Sequence, residues 1–79
     1  MIEKKNLLHS IKRINKHLSD IEYEYHKKNI DHRIREDWGY AFYTGKFVSY
    51  VWLVQQMGLS LKDKRLLKRI KTLGIDLIN

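Results

Sequence analysis

In the first third of the chain, apolar residues recur at Leu7, Ile11, Ile14, Leu18, Ile21 and Tyr25, in alternating steps of four and three. That spacing is a heptad seam, and it predicts one long helix from about Ile2 to Lys28 with a single apolar stripe. A helix of that length spans roughly 40 Å, so its partner must be long and straight as well. Either the next helix of the same chain folds back on it or a second copy does. For a seam this short, the antiparallel hairpin within one chain is the expected form.

The pattern changes in the stretch Trp38 to Val54, which carries one charge, Lys46, and holds both tryptophans, both phenylalanines and three of the five tyrosines. At helical spacing, Ile34, Trp38, Ala41, Gly45, Val48 and Trp52 form one stripe, and Tyr40, Tyr43, Phe47, Tyr50 and Val54 form another. Apolar residues on most of the circumference predict a helix packed on several sides. Ala41, Gly45 and Ser49 are small at every step of four, which predicts close approach of another helix along that row. The helix is expected from about His32 to Met57. Asn29 would close the preceding helix, Asp31 would cap this one by accepting from its free backbone N–H groups, and Gly58 suits a left-handed cap at its end. As a membrane span the stretch is poor. It lies at the short end of the roughly 17–25 residues required, with a lysine at its centre.

The third periodic segment places Leu66, Leu67, Ile70, Leu73 and Leu77 on one face and Lys62, Lys64, Arg65, Lys68, Arg69 and Lys71 around the rest. Ser60 with Asp63 resembles a short-armed capping box and would start the helix at Ser60. Gly74 would end it, leaving Ile75 to Asn79 as a tail over the core. The fold class read from these patterns is all-α: a single domain holding a small three-helix bundle, with two long antiparallel helices and a shorter basic C-terminal one.

Composition adds constraints to that outline. With 79 residues, the chain is near the size where one core is marginal and oligomerisation, metals or disulfides often assist. Cysteine is absent, which excludes disulfides and fits a cytoplasmic location; proline is absent too, which favours unbroken helices. The seam and the apolar circumference together predict self-association, most simply as a dimer. Residues 1 to 17 are too charged to form the apolar core of a signal peptide.

A formal charge of +7 points to an acidic partner: nucleic acid, an anionic membrane surface or an acidic protein surface. The charge is uneven. The segments before residue 31 and after residue 59 are basic, whereas the aromatic segment between them is balanced. The basic half of the first helix, Lys12, Arg13 and Lys16 among it, precedes Asp20, Glu22 and Glu24, an order that opposes the helix dipole. The stretch from Leu53 to Gly74, with Met57-Gly58-Leu59-Ser60 as a turn before a basic amphipathic helix, resembles helix-turn-helix DNA readers, which implies a second helix placed in the major groove. It departs from that pattern at Val54, where a small residue is usual, and at Lys64, where an apolar one is.

These features define the candidate sites. The nucleic-acid candidates are Lys62, Lys64, Arg65, Lys68, Arg69 and Lys71, joined by Lys12, Arg13 and Lys16. Candidates for a protein interface are Tyr40, Tyr43, Phe47 and Tyr50, since tyrosine is enriched where a ring is buried and its hydroxyl finds a partner. The pairs His32/Glu36 and Glu22/His26 stand one turn apart, but neither supplies three ligands from one face. Asp31, Glu36 and Asp37 beside His32 lack a nucleophile or a phosphate loop. The sequence therefore reads as a binding protein without metal or cofactor: a nucleic-acid-associated regulator, or an inhibitor or adaptor of the kind mobile elements carry, acting through the aromatic helix.

Overall fold

The structure, a computed structural model, describes residues 4–76. Ile2 and Leu77 to Asn79 lie outside the described residues. The elements are α1 (Lys4–Lys27), a 3-10 turn (Asp31–Glu36), α2 (Trp38–Gln56) and α3 (Lys64–Leu73), with no strand among the described residues. Helices α1 and α2 form an antiparallel hairpin, and α3 lies on α1. The molecule measures 39 × 24 × 19 Å.

The heptad seam folds as read over its first four positions, while Ile21 and Tyr25 are half-buried beyond the core. Leu7, Ile11, Ile14 and Leu18 are buried, and they meet Phe47, Val51 and Val54 of α2 and Leu66 and Ile70 of α3 in one core. The seam is therefore covered within the chain. After α1, Asn29 takes a left-handed conformation with φ 56°, and the Ile30 amide donates back to the Tyr25 carbonyl at 3.0 Å.

The expected continuous helix from His32 is broken. Asp31 makes no side-chain cap; the capping residue is Asp37, extended at φ −77° and ψ 119°. Its carboxylate accepts from the Tyr40 amide at 2.8 Å and from the Tyr25 hydroxyl at 2.9 Å. An N-cap must leave helical geometry, so residues 31–36 become a separate 3-10 turn. Those bonds hold the Asp37 carboxyl below its ordinary range, the Tyr40 amide first and the Tyr25 hydroxyl second, and they raise the Tyr25 hydroxyl.

The start of α3 is corrected in the same way. Ser60 does not cap it. Asp63 does, accepting from Arg65 and Leu66 amides at 2.8 and 3.3 Å. Leu59 and Leu61 both pack against the core. Residues two apart share a side only in an extended chain, because a helix would turn them about 200° apart. The link between α2 and α3 is extended for that reason. Gly58 and Gly74, both at φ 71°, close α2 and α3 in the left-handed conformation expected of them.

The faces of α2 are sorted. Phe47, Val51 and Val54 are buried, and Tyr40, Tyr43 and Tyr50 pack around them. The opposite stripe is exposed. The small row is on it: Ala41, Gly45 and Ser49 are exposed, and a Cβ added at Gly45 would meet nothing within 4 Å. Among the described residues, no helix makes the close approach that the row suggested. Among the described residues, no helix is long and apolar enough to cross a membrane.

Candidate nucleic-acid interface

The basic positions of α3 divide into two sets according to its packing. Leu66 and Ile70 hold the helix to the core, and one turn apart on the opposite side stand Lys64, Lys68 and Lys71, all exposed. Arg65 flanks this row, and Lys62 is exposed on the link just before α3. None of these five makes an ion pair with a described carboxylate.

Arg69 has a different environment. It is 8% exposed and its guanidinium is consumed within the fold. Nη1 and Nη2 donate to the two carboxylate oxygens of Glu22 at 2.6 and 2.8 Å, Nε donates to Asn15 Oδ1 at 2.7 Å, and Nη2 also donates to Ser19 Oγ at 3.1 Å. A forked, two-bond pair of this kind is strong and directional. It fastens α3 to α1. Arg69 is therefore withdrawn from the phosphate-binding set and becomes the clamp that aims the rest.

The packing also brings the two halves of the basic set together. Lys12 and Lys16 of α1 line the same recess as Arg65, with Asn15, Ser19 and Asp63 between them, and a neighbouring recess runs from Asn15, Ser19 and Glu22 to Arg65, Lys68 and Thr72. Lys12 lies 3.8 Å from Asp63 and Lys16 3.4 Å from Asp20, with both lysines well exposed. Exposed pairs of this kind are weak and yield readily to a stronger anion. Arg13 is exposed but lines neither recess.

The helix-turn-helix expectation does not survive the packing. In that arrangement the two helices pack on each other across a short turn. Here α3 lies on α1, and no Cα of α3 comes within 8 Å of α2. Val54 fills the core where the small contact residue would be.

The tyrosine set proposed as a protein interface faces inward. Phe47 is fully buried, and Tyr40, Tyr43 and Tyr50 are half-buried against the core. The Tyr43 ring stacks on His17 at 4.7 Å, and burial raises the Tyr40 hydroxyl, with the Glu22 carboxylate adding to it. The exposed aromatics of α2 are Trp38, Phe42 and Trp52, and Tyr23 of α1 is exposed as well. Lys46 sits 5.1 Å from the Phe42 ring centre, a cation–π contact at the edge of that face. Among the described residues, no group of three or more His, Asp or Glu side chains is placed to hold a metal ion. Comparison with known protein families, with curated proteins and with solved structures finds no match for this chain.

Proposed function

We propose that this chain is a small non-enzymatic regulator that grips the phosphate backbone of a nucleic acid, or of a nucleic-acid complex, with the outer face of α3. The observation that carries this reading is the row Lys64, Lys68, Lys71. Its three cations point away from the core, lack acidic partners among the described residues, and are flanked by Arg65 and Lys62, with Lys12 and Lys16 across the groove. Lysines held on a rigid helix at one-turn spacing suit phosphate contact, which positions a protein without reading sequence. A cytoplasmic location and self-association belong to the same reading. An acidic protein surface would offer the same charge without the phosphate spacing. An adaptor or inhibitor role through α2 would use Trp38 and Trp52 in place of the half-buried tyrosines.

Binding to duplex DNA, single-stranded DNA and RNA at several salt concentrations tests the proposal. Phosphate contacts release counterions, so the logarithm of affinity falls by about 0.9 per contact for each log unit of salt on duplex DNA. Changing Lys64, Lys68 and Lys71 together to Gln is expected to flatten that slope by roughly two to three while the helical circular dichroism stays unchanged. Absence of salt-sensitive binding to all three ligands would refute the reading. Unchanged binding by the triple variant would move the site off α3.

A further inference from the structure

Trp38 and Trp52 are 78% and 59% exposed, and Phe42 and Val48 between them are 43% and 40% exposed. Trp38, Phe42 and Trp52 lie opposite Phe47 on α2, and Val48 stands at the border of that face. A bulky side chain presents about 150–250 Å², so these residues leave roughly 450 Å² uncovered. With Ala41, Gly45, Ser49 and the stem of Lys46 the face reaches on the order of 700 Å². The apolar part alone is as large as the largest patch typical of a monomer, about 300–600 Å² and often functional, and the whole face approaches the roughly 800 Å² that each partner contributes to a stable interface.

The order of residues on this face identifies the occupant. Taking Gly45 as centre, positions three residues away on either side are Phe42 and Val48, both apolar. Positions four away are Ala41 and Ser49, both small. Positions seven away are Trp38 and Trp52, both indoles. Offsets of three, four and seven fall on one helix face in either direction for any helix, but small residues at both positions four away and indoles at both positions seven away do not follow from helix geometry. When two identical helices cross antiparallel about a shared centre, mirrored offsets fall at the same level, and those near the contact line, Trp38 and Trp52, meet across it. If one residue contacts another, the converse contact follows by symmetry.

We infer that the outer face of α2 is a homodimer interface, two copies crossing antiparallel at Gly45. Trp38 packs against Trp52 of the partner subunit, and Trp52 against Trp38 of the partner subunit. Gly45, with open space where a Cβ would stand, lets the two backbones approach at the axis. Electrostatics agree. The chain is strongly basic, yet α2 carries only Lys46, and that charge lies at the rim over Phe42. The cations of α1 and α3 remain on the far sides of the pair, so two positive molecules meet where their repulsion is smallest. The dimer rests on α2 alone and stands whether or not α3 binds nucleic acid.

The chain contains no cysteine, so engineered thiols report the geometry. The wild-type protein is expected to sediment as a dimer at micromolar concentration, and Gly45→Glu as a monomer of equal helicity. Gly45→Cys is expected to cross-link to itself under mild oxidation. Ser49→Cys alone is not, because the mirrored positions lie about 12 Å apart along the axis; mixed with Ala41→Cys it is expected to cross-link. A wild-type monomer at high micromolar concentration would overturn the proposal, and would leave the face to a foreign protein or a lipid surface. A dimer that persists in Gly45→Glu, or that cross-links through Ser49→Cys alone, would overturn this interface and its direction.

Discussion

Helices α2 and α3 solve the same packing problem against α1, and they differ in what remains outside. Each buries one stripe, Phe47, Val51 and Val54 on α2 and Leu66 and Ile70 on α3. What α3 leaves in water is a row of lysines. What α2 leaves is tryptophan, phenylalanine and valine. Burial thus accounts for one face of each helix, and the other face carries the information about partners. The charged face suits a ligand recognised by field and released by salt; the aromatic face suits one recognised by shape.

The largest expected effect comes from contrasting the two faces of α2. Phe47→Ala, which empties a fully buried site, is expected to lower stability by about 3–5 kcal/mol. Trp52→Ala is expected to change it by less than about 0.5 kcal/mol. Both are to be measured by urea unfolding in the Gly45→Glu background, where the outer face is held free. A large loss at Trp52 there would mean that the exposed stripe supports the monomer.

A smaller effect separates the two kinds of cation on α3. Arg69→Ala leaves Glu22 without its forked partner, and an expected loss of about 2–3 kcal/mol follows, below the figure for a wholly buried pair because Glu22 keeps contact with water. Lys68→Ala is expected to fall within about 0.5 kcal/mol. A double-mutant cycle of Arg69 with Glu22 isolates the pair, and additivity would mean that the clamp contributes nothing specific.

The smallest effect is in acid. The folded Asp37 carboxyl lies below its unfolded value of about 3.9. Its contribution to stability is therefore fully present above that value and declines as pH falls through the lower, folded one. Asp37→Asn, which keeps an oxygen for the Tyr40 amide, is expected to be less sensitive to acid below about pH 4 than the wild-type chain. Parallel acid curves for the two would exclude this cap as the titrating group.

The periodic features were legible from sequence. The α1 seam, the apolar stripe of α3 and the caps at Asn29, Gly58 and Gly74 all follow from spacing and backbone chemistry. Two helix starts were misread because several capping residues competed at each: Asp31 against Asp37, and Ser60 against Asp63. Only the packing of Leu59 and Leu61, and the Tyr25 hydroxyl on Asp37, decide between them. The orientation of α2 was not legible, since both stripes are apolar and the choice depends on which one fits α1. The role of Arg69 left a signal that was overlooked. With Leu66, Ile70 and Leu73 it occupies one inward face at offsets of three, four and seven. Its partner Glu22 lies on another helix, 47 residues away, where no local pattern reaches.

The placement of the two indoles also has a spectroscopic consequence. They are the only tryptophans in the chain, and both stand on the water-facing side of α2. In the single chain, intrinsic emission therefore barely registers loss of the core, because the fluorophores are solvated before and after unfolding. The same emission shifts to the blue as soon as anything covers that side of the helix. The tryptophans of this protein report what covers α2 rather than the packing of its core.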